Sequence, residues 1–335
     1  MKLFQSIFGG REAVGRYPDA LIEMAIERAV DGTDPRLRLL VPGYRKRLRE
    51  PVVHAIDQVV NLVDGIPAPV AAGRDGYRND FRLAALFASS EEMLQVFGRD
   101  RVLSDYLSGA EGQGGAPVTA LLRAHRGEKN ILGMDLAGDQ VRRDVAQVTV
   151  SFSGHRLLEP RVSEEECRRF LKRRAFDHLL ALALGQITEA RVERADLTRQ
   201  RDLLRRKLQA MKRGTLSFDQ PEAGRADEAG LQAELDAISR QLQELGADAG
   251  VLKAHLEVVA ARLGEAERQV WSQEVDLCLS PMNIRLDPGD PSGRRILLQE
   301  LQTARGERAV ILPVAIAPRD LPRREDLVTA AQRYL

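Results

Sequence analysis

Apolar residues recur along this chain in two long runs whose spacing alternates four and three. The first run is Phe176, Leu180, Ala183, Ile187, Ala190, Arg194, Leu197, Arg201, Leu204, Leu208 and Met211, and only Arg194 and Arg201 interrupt its apolar character. The second is Leu231, Leu235, Ile238, Leu242, Leu245, Ala249, Leu252, Leu256, Val259, Leu263, Ala266 and Val270. A 3.5-residue repeat held over about five heptads keeps one narrow seam turned toward a partner helix. A straight helix drifts off such a seam, because its turn takes 3.6 residues.

The connector 212–230 contains Pro221 and three glycines, Gly214, Gly224 and Gly230, and continues neither seam. It is too short to run back along an arm of about 50–60 Å, so arms that pair within one chain must be antiparallel. Ser163, with Glu166 three residues on, is a capping box for the first arm. The seam suggests a register in which Met211 faces Leu231, Arg194 faces Ala249, Ala183 faces Val259 and Phe176 faces Ala266, so that large residues meet small ones. A shift of one heptad satisfies the same pattern.

Outside the hairpin the period changes. Leu21, Ile22, Ala25, Ile26, Ala29 and Val30 make a helical face behind Pro18, and Val52, Val53, Ile56, Val59, Val60 and Val63 make another. The stretch 69–80 is rich in glycine and charge and is expected to be a loop. Ser89 and Glu92 form a second capping box ahead of Met93, Leu94 and Phe97. Residues 108–117 include four glycines and form a connection; 117–125 is expected to be a short helix. Strands are expected over 130–136 and 145–152, then 277–286, 295–302 and 309–317, with 304–307 as a hairpin turn. A short helix is expected over 325–335. The expected class is therefore mainly α with a small β-rich portion, α+β: an N-terminal helical domain (1–126), a small β domain (127–160 and 277–335), and a coiled-coil hairpin (161–276) inserted in it. This order of elements is similar to that of membrane-fusion adaptor proteins. The likeness is one of layout, without their signal or membrane-spanning segment, and it implies nothing about activity.

Composition agrees with long helices: aromatics are 4 % while hydrophobic residues reach 44 %. The 50 basic and 49 acidic residues nearly cancel, so attraction to nucleic acid or anionic lipid must come from local segregation. Such segregation exists. Residues 191–213 hold nine Lys and Arg against three acids (9 − 3, net +6), and 228–267 hold three against eight (3 − 8, net −5). Mutual neutralisation of paired arms accounts for this, and nucleic acid is not an expected partner.

Candidate chemistry is sparse. His54, His125, His155, His178 and His255 have no metal-binding spacing, Cys167 and Cys278 no CxxC pattern, and no phosphate loop or nucleophile motif occurs. Cys167 and Cys278 fall at the two base ends of the hairpin, where ordinary buried thiols are the expectation. Glu164, Glu165 and Glu166 sit where a helix dipole favours acids. No catalytic residue, metal or cofactor is assigned. Leu3, Phe4, Ile7 and Phe8 would share one face of a short helix flanked by Lys2 and Arg11, either covering the protein's own core or touching a membrane surface or partner. Gly9, Gly10 and Arg11 end that patch too soon for a signal peptide, and no apolar run spans a bilayer, so a cytoplasmic setting is expected. The expected role is a non-enzymatic coiled-coil scaffold or adaptor that binds other proteins or itself. An enzyme with a motif-less site in the N-terminal helical domain, or a coiled-coil protein associated with nucleic acid, are the alternatives.

Overall fold

The computed structural model describes residues 17–137, 140–214, 223–244 and 248–322. Among these, seven helices come first: α1 (Asp19–Thr33), α2 (Leu37–Leu40), α3 (Tyr44–Asp64), then, after the two-residue strand β1 (Val70–Ala71), α4 (Arg74–Asn79), α5 (Phe81–Leu86), α6 (Ser90–Arg99) and α7 (Arg101–Ser108). Two long strands follow, β2 (Val118–Ala137) and β3 (Gln140–Arg161). The helices α8 (Glu164–Gly214), α9 (Ala223–Glu244), α10 (Asp248–Gly264) and α11 (Ala266–Gln269) lead to β4 (Val270–Leu279), β5 (Arg294–Thr303) and β6 (Arg308–Ile316). The protein is thus mixed helix and strand, with an antiparallel sheet and a helix of 51 residues. It divides into two compact units: a helical unit of 1–56 and 177–266, and a sheet unit of 57–176 and 267–335.

The sheet runs β3-β2-β6-β5-β4, all antiparallel, with β1 added parallel to β6. The turn between β5 and β6 closes with Gly306 in the left-handed region (φ 81°), which suits a residue without Cβ. Leu122, Val150, Leu157, Leu298, Val310 and Leu312 pack on one face against Leu83, Met93, Phe97 and Leu103 of α5–α7. On the other face Leu121 and Ile311 meet Val63 and Ile66 from the end of α3 and its following turn, with Cys167 and Leu171 of α8. β6 and the first part of β2, Val118 to Ala124, are therefore buried on both faces. Pro313 is tolerated inside β6 because β5 pairs only as far as Ile311 and β1 begins at Val314. Asp100 caps α7 through Leu103 N (3.0 Å) and also accepts from Leu157 N of β3 (3.1 Å). The Arg168 guanidinium donates to the Val63 and Ile66 carbonyls (2.6 and 2.7 Å), satisfying acceptors at the end of α3.

Three expectations need correction. Residues 117–125 are not a helix but the start of β2; buried on both faces, Val118 to Ala124 loses the alternation that marks a half-buried strand. β4 begins at Val270, inside the span assigned to the hairpin, so Val270 is a strand residue and not the last seam position. The stretch 69–80 is not a plain loop but carries β1 and α4. The segments 1–16 and 323–335, with Leu3, Phe4, Ile7, Phe8 and the expected terminal helix, lie outside the described residues.

In the helical unit α1 buries Leu21, Ile22, Ala25, Ile26, Ala29 and Val30 along one face, and α10 lies against α1 and α2. Ion pairs tie the helices at their rims: Arg28 with Asp177, Arg47 with Glu257, and Arg191 with Asp34 at 3.6 Å.

Candidate functional site

Ser163 Oγ accepts from Glu166 N at 3.2 Å and starts α8. Glu164 and Glu165 are engaged by Arg168 and Arg169 one turn on. Along α8 most positions of the 3.5-residue repeat are shielded, although Ala190 is exposed and Leu179 and Leu182, off the repeat, are also buried. Phe176 is buried in the sheet unit; in the helical unit Leu180, Ala183, Ile187, Leu204 and Leu208 are buried, while Arg194, Leu197 and Arg201 are half-buried among exposed neighbours. On α10 Leu252, Leu256, Val259 and Leu263 are buried. Leu235 and Ile238 of α9 pack with Leu204, flanked by Leu197, Leu231 and Leu242. Leu245 lies outside the described residues. Polar contacts follow the same order: Arg262 Nε donates to Gln186 Oε1 (2.9 Å), and Arg191 Nη2 meets His255 Nδ1 (3.3 Å). As numbering rises along α8, that of its partners falls.

Two arginines on the outer half of α8 find acids within the helix. Arg199 pairs with Asp196 (3.1 Å) and Arg201 with Asp202 (2.9 Å). Arg205, Arg206 and Lys207 are exposed. Off the seam, Val192 and Leu203 are 56 % and 67 % exposed, and Val192 sits with Glu189, Glu193 and Asp196 along a shallow groove. His255 is buried beside Arg191; burial first, then that guanidinium, hold its pKa below the ordinary histidine value.

A second feature, in the sheet unit, carries no sequence signal. A cleft of about 600 Å³ opens between α4–α6, β3 and the turn after β4. Gly76 lets α4 cross β1: a Cβ there would lie 1.6 Å from Ala71 O. The cleft's turn is held by Asn283, whose side chain donates to Ala85 O (2.8 Å) and whose backbone is left-handed (φ 56°), a conformation asparagine tolerates. His155 lines the cleft and stacks on Phe87 with centroids 4.4 Å apart. Its Nε2 is enclosed without a hydrogen-bond partner. Burial pushes its pKa down, opposed by a hydrogen bond to the Leu86 backbone and by the Glu92 charge. At the rim the Arg294 guanidinium lies over the Phe81 ring, 4.7 Å from its centroid. These residues come from four separate stretches of chain, and no linear spacing joins them.

Cys167 is buried against Leu121 and Ile311, and burial raises its pKa to about 12, which keeps it a thiol. Cys278 is partly exposed beside Gly293, and both cysteines are free.

By fold the chain is an α+β protein of two units, one helical and one built on an antiparallel sheet. No family model matches it, no curated protein is detectably similar, and no solved structure matches. No helix among the described residues is long and apolar enough to cross a membrane.

Proposed function

We propose that the chain is a non-enzymatic scaffold or adaptor whose working part is an antiparallel coiled-coil hairpin made by α8 with α9 and α10. The supporting observation is the division of α8 into a shielded seam and an outer face on which Val192 and Leu203 stand exposed among charges. Large apolar side chains held on a rigid helix, away from that helix's own packing, are the material of protein–protein contacts. The partner is another protein or a second copy of the chain.

Two measurements test this. Cysteines introduced at Ala183 and Val259, in a Cys167→Ala, Cys278→Ser background, should cross-link within one chain at high dilution; cross-links only between chains would replace the hairpin with a dimeric coiled coil. In native cells, cross-linking with mass spectrometry should place partner peptides next to α8, and Val192→Glu with Leu203→Glu should remove them without altering the circular dichroism. Partner cross-links that survive both substitutions would refute the outer face as the contact surface.

A further inference from the structure

α8 carries a second repeat, two positions on from its seam. Glu189, Val192, Asp196, Arg199, Leu203 and Arg206 follow one another at spacings of three and four, and all six are exposed. That spacing sets them in one stripe along the helix. The charges are sorted along it: the acids Glu189 and Asp196 flank Val192, and the cations Arg199 and Arg206 flank Leu203. Exposed Glu193 beside the first group and exposed Lys207 beside the second extend the sorting. Asp196 and Arg199 pair at 3.1 Å, but in solvent, where such a pair is weak and easily exchanged. Among the described residues no ion pair engages Glu189 or Arg206.

The order acid, apolar, acid, base, apolar, base is its own complement when reversed. Laid antiparallel against a second copy, Glu189 comes level with Arg206, Val192 with Leu203 and Asp196 with Arg199, and all three pairs share one midpoint, between positions 197 and 198. A parallel pairing would instead set every charge against its own kind. We propose that two copies of the chain associate through this stripe, antiparallel about a two-fold axis at that midpoint; this rests on α8 being the exposed arm of the hairpin, as proposed above. Such a contact uses the same patch on both copies and closes on itself, so it yields a dimer and not a fibre. A uniform polyanion fits the stripe poorly: nucleic acid or an anionic membrane would gain at Arg199 and Arg206 and be repelled at Glu189, Glu193 and Asp196. From Glu189 to Arg206 the stripe is about 26 Å long, and it offers two large apolar side chains per copy. The contact is therefore small, reversible and sensitive to salt.

Sedimentation velocity of the full-length chain tests this. Wild type should be dimeric at about 100 μM and monomeric at about 1 μM in low salt, and added salt should shift it toward monomer. Glu189→Arg with Asp196→Arg makes the stripe basic throughout, and Arg199→Glu with Arg206→Glu makes it acidic throughout. Each variant alone should stay monomeric, and the two mixed in equal amounts should form a heterodimer. For orientation, chains carrying Val192→Cys should be mixed with chains carrying Leu203→Cys, both in the Cys167→Ala, Cys278→Ser background. The mixed pair should cross-link several-fold faster than either chain with itself, because like positions lie about 16 Å apart along an antiparallel pair. Wild type that stays monomeric at the higher concentration would overturn the proposal. So would a folded charge-reversed variant that associates as wild type does, a folded mixture that does not associate, or cysteines that prefer like positions. The Ala183 to Val259 cross-link separates the two readings: its persistence in a chain that never dimerises defeats the dimer alone, whereas its absence defeats the hairpin.

Discussion

The two units bury their apolar residues by different rules. In the sheet unit β6 and the start of β2 (Val118 to Ala124) are covered on both faces, and the core residues Leu122 and Leu312 are 1–2 % exposed. Along the outer part of α8 the protected layer is one side chain deep: Leu204, Leu235 and Ile238 are 9, 8 and 7 % exposed, and their neighbours face water. Closeness to a partner element is therefore not equivalent to depth. A layered sheet isolates its interior from solvent on every side, whereas two paired helices can shield only the seam between them. The sheet unit is expected to open only globally, while the outer half of α8 opens locally.

Buried charge gives the largest test of this difference. In the sheet unit Glu300 is 2 % exposed and is met by Arg126 at 3.1 Å. Arg126→Ala would leave a buried carboxylate uncompensated and should cost about 3 kcal/mol or more, read as a fall in the denaturation midpoint. Replacing both residues with leucine should recover most of that loss. A single substitution costing no more than a surface ion pair would show that water reaches Glu300 and that the layering is shallower than described.

The next test is Leu204→Ala. The lost contacts should cost about 2–3 kcal/mol, but in a restricted place: hydrogen exchange should quicken in α9 and the outer half of α8 while β2 and β6 keep their protection. Uniform loss of protection would mean that the two units unfold as one.

The same contrast governs what is legible in the sequence. The seam has a period, and a period survives without knowledge of the partner, so Leu204, Ile238 and Leu256 can be singled out from spacing alone. The start of β2 reads wrongly because Ala120, Leu121 and Leu122 are consecutive apolar residues, and a run without alternation carries no strand signature. β5 and β6 are legible from the turn between them and from local apolar runs. The cleft is invisible for another reason. Phe81, His155, Asn283 and Arg294 are ordinary residues at unremarkable spacings, and only the sheet's pairing order brings them together.

A smaller effect distinguishes the units by pH. His255 of the helical unit and His155 of the sheet unit both have lowered pKa values, with burial as the first cause. Above the ordinary histidine value of about 6.5 both folded and unfolded chains are neutral at these sites. As pH falls through that value the unfolded chain takes up protons that the folded chain resists, so stability declines until the folded imidazoles also protonate. Around His255 the facing charges are Arg191, Arg194 and Arg36, with Asp34 opposing them. Amide exchange in α10 should quicken as the pH falls from about 7.5 to about 5.5, a window that brackets the ordinary histidine value. His255→Gln should flatten that response while leaving the response of β3 intact. A pH-independent α10 in wild type would show that His255 reaches solvent.

The smallest expected effect concerns the two arginines on the α8 seam. Arg201 is half-buried, its guanidinium is turned to Asp202 on the same helix, and that pair is exposed enough to contribute little. Its aliphatic stem covers the seam while the charge stays wet. A leucine there would add apolar surface next to Leu197 and Leu204 and lose only the weak pair. Arg201→Leu should therefore stabilise the chain by about 0.5–1 kcal/mol, and Arg194→Leu alongside it should raise the melting temperature further. Stability is not what a charged seam residue supplies. A uniformly apolar seam accepts more than one register and more than one partner, whereas a polar position restricts both. The double variant should accordingly gain self-association in sedimentation velocity as it gains melting temperature. The cross-link between cysteines introduced at Ala183 and Val259 should also form less selectively in it. A double variant that melts lower than wild type and stays monomeric would mean that these arginines hold the hairpin together directly, through acids of the facing helices, and that the seam owes its register to ion pairs instead of to excluded alternatives.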